Sequence, residues 1–558
     1  MARLTFVVGK GGVGKTTVSC ALALHLAAHH PRQSILLMST DPAHSLADML
    51  EIKDKAGPHR LAGVKGKVSV WQIDSDREFK KFLDGNREGI LNIVENGTFF
   101  NREEIAPLLD TTLPGMSEVA GLLALRDMLE SGEHDHIVVD TAPFGHTLRL
   151  FELPGHFQRF LNFLEVASSR DDLLAQRFGG RTSGSPAHGF LEKWQATVRQ
   201  VKEAFSADQA EVLLVTSPET FSLNEAVRCV DALKESAAEM RLGGIVLNRV
   251  VMSAEDCPRC RARILQGKKA VQFLKQKFPR VPRLIGRDPG NPLLGAKQLQ
   301  RFGDAVFAGG QANLAAPPPK ASSKQQLKQK LKFVKIKWPA PKTGLSFTLG
   351  KGGVGKTTVT AALAFHARSL NKDVHVTVCS TDPAPSLDDI FQKDIGDQMI
   401  SVLGDSGFGA IEMDAVFEFR RWAARIKQQL SAGTSMESGG LHVDLTFEKE
   451  VFAALMDVVP PGVDEVFAIF RIIDLLDAKQ GSVFIDMAPT GHALELLRMP
   501  DRILLWSRLL LKSLAAHRTL ALAQDVAVEL AGLGQRVRKL LELMRDPKQS
   551  RAWAVMLP

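Results

Sequence analysis

The chain has 558 residues, 45% hydrophobic and 24% charged, which excludes a disordered or collagen-like polymer and leaves room for two or three domains. Five cysteines, Cys20, Cys229, Cys257, Cys260 and Cys379, are too few and too unevenly spread for a secreted disulfide framework, so a cytoplasmic protein is expected. The net charge of +8 is matched by eight lysines (Lys320, Lys324, Lys328, Lys330, Lys332, Lys335, Lys337 and Lys342) in a stretch without acids or arginine, so the remainder is near neutral and no nucleic-acid partner is expected.

In chain order, LTFVV at 4–8 predicts a strand running straight into a glycine loop, with no room for a targeting leader. VSCALALHLAAH follows as a predicted amphipathic helix. SILLMST, HIVVD, VLLVT and GGIVLN are apolar and β-branched, and read as parallel strands separated by helix-length crossovers. Pro317-Pro318-Pro319 and ASSKQQLKQKLK mark a linker. LSFTL, VTAALAFHARSL and SVFID then repeat the earlier strand, helix and strand. The most apolar stretch, RILLWSRLLLKSLAA at 502–516, is broken by Arg508 and Lys512, short of the ~20 apolar residues of a bilayer span, so no direct membrane span is expected. The longer segment 502–524 reads as a packing helix, as do 118–131 and 156–169, with a groove for a client helix as the alternative.

GKGGVGKTTV occurs at 9–18 and again, identically, at 350–359. STDPAHSL at 39–46 is matched by STDPAPSL at 380–387, IDSD at 73–76 by MDAV at 413–416, and DTAPFGHT at 140–147 by DMAPTGHA at 486–493. The expected organisation is therefore a first α/β half at 1–308, a Pro/Lys-rich linker at 309–343 and a second half at 344–558, each half a doubly wound, mostly parallel sheet of the P-loop type. The strand matching 212–217 is expected at 553–558. The first copy continues from there to 308, so the second copy is expected to be truncated, without a counterpart to Asn248.

GKGGVGKT fits GxxxxGK[ST], a loop whose backbone amides cradle polyphosphate and whose lysine reaches the β and γ oxygens. It predicts ATP sites at Gly11, Gly12, Val13, Gly14, Lys15, Thr16 and Thr17 and at Gly352, Gly353, Val354, Gly355, Lys356, Thr357 and Thr358. An additional lysine in each loop, Lys10 or Lys351, stands where the local phosphate is already served, so it is expected to act on nucleotide in the opposing half, as an arginine finger does. Asp140 and Asp486 end apolar strands, where they would hold Mg²⁺ beside Thr16 and Thr357, and the APxGH turns that follow read as switches. Asp41 and Asp382, at the carboxyl edge of the sheet, are expected to orient attacking water, with helix capping as the alternative.

These motifs, in this order and duplicated across a linker, resemble the arsenical pump-driving ATPases, a family with a deviant Walker A loop; single-copy relatives that resemble each half are the targeting ATPases for tail-anchored membrane proteins. The resemblance implies an arsenite-transporting ATPase that drives arsenite or antimonite export through an anion-carrying membrane subunit of the ArsB type, placing it peripherally at the membrane. The alternative partner is a hydrophobic tail-anchor helix. It also implies roles for Lys10 and Lys351 in trans, for Asp41 and Asp382 in water activation, for Asp140 and Asp486 at Mg²⁺, and for Asn248 at the adenine.

The sequence departs from that family where soft thiolates would hold a metalloid: 113–123 reads LPGMSEVAGLL, with Met116, and 459–470 reads VPPGVDEVFAIF, with Pro460-Pro461. His146 and His492 in the switch turns are the other candidate metalloid neighbours. Phe144, Met487 and Ala493 replace threonines of the switches, so the halves are expected to differ in hydrolysis rate. Cys257 and Cys260 form a CxxC, half of a tetrahedral Zn²⁺ site, a redox dithiol, or two structural thiols. Cys20 and Cys379 fall in apolar patterns expected to be core.

Overall fold

The computed structural model describes residues 2–308 and 344–556 except 42–44, 54–55, most of 98–115, 143–185, 207–208, 236–239, 253–257, 352, 382–386, 415–416, most of 422–462, 478–480, 488–495 and most of 498–520. The first half runs β1 (Arg3–Val8), α1 (Lys15–His29), β2 (Ser34–Ser39), α2 (Ser45–Leu50), β3 (His59–Arg60), β4 (Lys67–Gln72), α3 (Ser75–Gly97), α4 (Met116–Ser131), β5 (His136–Asp140), α5 (Pro186–Ala204), β6 (Ala210–Thr216), α6 (Thr220–Glu235), β7 (Arg241–Val250), α7 (Pro258–Lys277), β8 (Arg283–Arg287) and α8 (Ala296–Phe307). The second runs β9 (Gly344–Leu349), α9 (Lys356–Leu370), β10 (Val376–Ser380), α10 (Leu387–Phe391), β11 (Ile400–Val402), β12 (Asp405–Glu412), α11 (Val463–Asp477), β13 (Ser482–Asp486), α12 (Ala521–Arg545) and β14 (Ser550–Ala554).

The first sheet has the order β3-β4-β2-β5-β1-β6-β7-β8 and the second β11-β12-β10-β13-β9-β14. Both are parallel except for an antiparallel edge, β3 on β4 and β11 on β12. The central strands are mostly apolar because helices cover both faces. Leu4, Phe6 and Val8 of β1 join the core under α4, α5 and α6, while Val7 joins the core under α1 and α8. In the second half Leu345 and Phe347 meet α11 and α12 on one face, and Val376, Val378 and Phe408 meet α9 on the other.

Parallel strands with crossovers collect their carboxyl ends along one edge. The β1–α1 and β9–α9 loops, Asp140 at the end of β5 and Asp486 at the end of β13 all lie there. Asp74 and Asp414, matched in the repeat, both accept backbone N–H groups at the start of the following segment, from Arg77 at 3.2 Å and Phe417 at 2.9 Å.

One boundary differs from the expectation. The strand placed at 553–558 is β14, Ser550–Ala554. Leu4 pairs with Ala210 and the matching Leu345 with Ser550, so the second copy reaches this strand one residue sooner than the loops' spacing implies. Among the described residues of the second half, β14 is the last strand and forms the sheet edge. Of the packing helices, 118–131 falls within α4; 156–169 and most of 502–520 lie outside the described residues, as does the linker.

Candidate functional site

Both loops close onto their helices in the same way. Gly14 and Gly355 cap α1 and α9 in the left-handed region, at φ 94° and 89°, and neither helix has a side-chain cap, which leaves its first backbone N–H groups directed at the loop. Lys15 and Lys356 are each only 7% exposed. Lys15 Nζ donates to the Lys10 carbonyl oxygen at 3.2 Å. Burial pushes its pKa down, and the carboxylates of Asp41 and Asp140 push it back up.

Asp140 is buried beneath the first loop. It accepts from Ser19 Oγ at 3.0 Å, from Ser39 Oγ at 3.3 Å and from the Thr16 hydroxyl. Burial chiefly, then the neighbouring Asp41, raises it to about 6, against the pull of Lys15 and the hydroxyl donors. Asp486 accepts from Thr357 Oγ1 at 2.6 Å and Thr360 Oγ1 at 3.4 Å. Each loop threonine is thus joined to the strand-end aspartate predicted to share its ion. Asp41 is half-buried; its N–H donates to Ser39 Oγ at 3.2 Å, and Gln72 Nε2 donates to its carbonyl oxygen at 3.0 Å. Thr17 Oγ1 donates to Met49 Sδ at 4.0 Å, and Thr358 is exposed.

The two loops meet. A Cβ on Gly353 would stand 2.5 Å from Gly12 Cα and 2.8 Å from the Gly11 carbonyl oxygen, so the loops touch backbone to backbone and only glycine fits. Lys351 is near enough to the first loop to lower the pKa of Lys15. Lys10 extends over the ring of Phe221 in α6, 2.7 Å from its centroid. On the same face of α6, one and two turns further on, Asn224 Nδ2 and Arg228 Nη2 each donate to Asp389 of α10 at 3.2 Å.

Asn248, at the end of β7, is 5% exposed, and its Nδ2 donates to the Val13 carbonyl oxygen at 2.9 Å, bracing the first loop from beneath. The next residue, Arg249, has φ 61°, a strained conformation at the register irregularity of β7 against β8.

The chain's residues 2–306 and 344–556 match the sequence profile of the family described as Anion-transporting ATPase. The chain belongs to that family. Among similar proteins, ATPase ARSA1 of Chlamydomonas reinhardtii is 30% identical over 552 residues, covering 89% of this chain and 65% of its own length. The chain therefore spans just under two thirds of that relative. The Arsenical pump-driving ATPase of Acidiphilium multivorum is 26% identical over 561 residues, 99% of this chain and 84% of that one. ATPase GET3 of Phaeosphaeria nodorum is 31% identical over 296 residues, 50% of this chain and 86% of its own.

Of the predicted residues of this family member, Lys10 to Thr17 with Asp41, Asp140 and Asn248 come together at the first loop, and Thr357 with Asp486 at the second. Asp382, Gly352, His146, His492 and Cys257 lie outside the described residues. Cys260 opens the first turn of α7, partly buried. Cys20, Cys229 and Cys379 are buried, which pushes their thiols up, Cys379 to about 12.

The sequence reading missed Ser19, Ser39, Gln72, Phe221, Asn224, Arg228 and Asp389. Two of these had a signal. Ser19 and Ser39 align with Thr360 and Ser380 in the repeat, hydroxyl for hydroxyl at the same places behind the loops. The clasp between α6 and α10 rests on the meeting of the halves.

No helix among the described residues is long and apolar enough to cross a membrane.

Proposed function

We propose that the chain is a Mg²⁺-dependent ATP hydrolase with two nucleotide sites where its halves meet, and that their closure drives export of arsenite or antimonite through a membrane anion-pump subunit of the ArsB type. The backbone contact of the two loops at Gly12 and Gly353 carries this reading. Two polyphosphates cradled there would lie side by side, each within reach of cations from both halves.

Lys15 and Lys356 hold the β and γ phosphates. The donor set fits Mg²⁺: Thr16 with Asp140, and Thr357 with Asp486, supply hydroxyl and carboxylate oxygens already joined to each other. When bound, that ion neutralises charge on the phosphate oxygens. Asp41, beside Lys15 and Asp140, orients the attacking water in the first half, and Asp382 does so in the second. Lys351 serves the first site and Lys10 the second, after leaving Phe221. Asn248 brings the adenine pocket against the loop it braces. The chain works in the cytoplasm, at the membrane only through its partner.

The lack of thiolates at Met116 and at Pro460-Pro461, with Cys20, Cys229 and Cys379 buried, supports metalloid recognition, in this reading, by a route other than thiolate ligation. Relatives named GET3, matching about half the chain, support the alternative of a targeting factor for tail-anchored proteins. One paired experiment separates the two. ATP turnover with Mg²⁺ is measured with and without arsenite, beside retention of a hydrophobic C-terminal helix. Stimulation by arsenite without helix retention supports the pump motor; an inert arsenite response with helix retention transfers the chain to targeting; and no ATP turnover in either arm rejects both.

A further inference from the structure

The far end of α1 carries a second constellation. His25 and His29 are four residues apart, one turn, and so share a face of the helix. Their rings lie 4.0 Å apart between centroids, inclined at 38°. Helix α8 crosses α1 at this point. A Cβ on Gly303 would strike the Ala21 carbonyl oxygen and stand 3.2 Å from His25 Cβ, so the missing side chain is what lets the helices close. The contact delivers the next residue, Asp304, to the histidine pair.

Asp304 Oδ1 is 2.8 Å from His25 Nδ1 and 3.8 Å from His29 Nδ1. These separations bracket the edge of about 3.3 Å expected of a tetrahedron with metal–ligand bonds of about 2.0 Å. One ring nitrogen from each histidine and one carboxylate oxygen all lie within 4.8 Å of one another. His29 Nδ1 also stands 2.9 Å from the His25 carbonyl oxygen, to which it donates in the metal-free chain, so ligation through this nitrogen releases its proton. His25 is 12% exposed, against 49% for His29 and 37% for Asp304, so the group has a buried wall and an open mouth. Among the described ion pairs, Asp304 has no lysine or arginine partner to compete with a cation.

We propose that His25, His29 and Asp304 form a site for a divalent transition-metal ion of the Zn²⁺ class, with three protein ligands and a remaining position for water. The ion clamps α1 to α8. Ten residues of α1, about 15 Å at the helical rise, separate it from Lys15, so it is a different site from the Mg²⁺ position, and it uses neither Cys257 nor Cys260. Bound there, the ion stabilises the helix on which the first phosphate loop is mounted.

The test uses the full chain without a polyhistidine tag, in a Cys257→Ser/Cys260→Ser background, titrated with Co²⁺ and Zn²⁺. The expected result is one equivalent of Co²⁺ with visible d–d bands, raised thermal stability on adding Zn²⁺, and affinity lowered at least about tenfold by His29→Ala and by Asp304→Asn. Both changed residues are partly exposed, and unfolding of the metal-free variants at the parent temperature verifies their fold. If either variant is unstable without metal, His25→Gln provides the same comparison. No stoichiometric binding, or binding of unchanged strength in the folded variants, overturns the site.

Discussion

Arg228 in the first half donates to Asp389 in the second across 3.2 Å, and the same guanidinium holds Glu225, a carboxylate of its own helix that is only 4% exposed. The clasp between the halves therefore has unequal members. Removing Asp389 costs a partly exposed pair, about 0.2–1 kcal/mol. Removing Arg228 leaves Glu225 buried without its guanidinium, a loss of about 3–5 kcal/mol for fully buried pairs and somewhat less here, where Arg228 is partly exposed. Urea unfolding of Asp389→Ala and Arg228→Ala should show that order; equal losses contradict it.

Gly353→Ala places a methyl group into the Gly12 backbone and demands φ 80° of a residue with a side chain. Each half should still fold, since the clash lies between them. Circular dichroism should be unchanged while nucleotide binding weakens at both sites. Loss confined to the second half would show that only local strain in its loop had been disturbed.

Cys20, Cys229 and Cys379 are buried with their thiols pushed up, so the thiolate that reacts or binds As(III) is scarce at all three. Alkylation of the native chain at pH 8, read by peptide mass spectrometry, should spare them and proceed at least about tenfold faster after unfolding. Labelling of any of the three at a free-thiol rate in the folded chain contradicts the core assignment.

His134 lies two residues before β5 and His136 opens it, and burial holds both below 6.5 despite Glu133 and Asp135 beside the first and Glu211 beside the second. The unfolded chain thus takes up their protons first. Stability is full above the unfolded value and falls as pH drops through 6.5 toward the folded values, by at most about 1.4 kcal/mol per pH unit per imidazole. His136→Gln, placed to keep a partner for Thr5 Oγ1, now 2.9 Å from the ring, should flatten the melting temperature between pH 7.5 and 5.5. Parallel curves for parent and variant contradict this.

The tandem architecture was legible because the ten-residue loop recurs verbatim, and strands buried on both faces need apolar residues at nearly every position. The meeting of Lys15, Thr16 and Asp140 was legible because the glycine loop and the strand-end aspartate each follow an apolar strand, which brings them to one edge of the sheet. What escaped depends on how the halves meet. Phe221, Asn224 and Arg228 lie on one face of an ordinary amphipathic helix, and nothing in their spacing names Lys10 or Asp389 as partners. The shift of β14 escaped because changes in crossover length between the copies leave no motif. Asn248 was reached through resemblance, whereas its observed contact is with the loop itself.

In the proposed function each leading lysine acts on the neighbouring half's nucleotide. Site-resolved turnover in Lys351→Gln reads that crossing, with a photoreactive ATP analogue trapped on each half and the labelled peptides quantified separately. Hydrolysis at the first half should fall by about 10³-fold or more, as for a lost arginine finger, while the second half keeps its nucleotide. A loss confined to the second half, or equal losses at both, contradicts it.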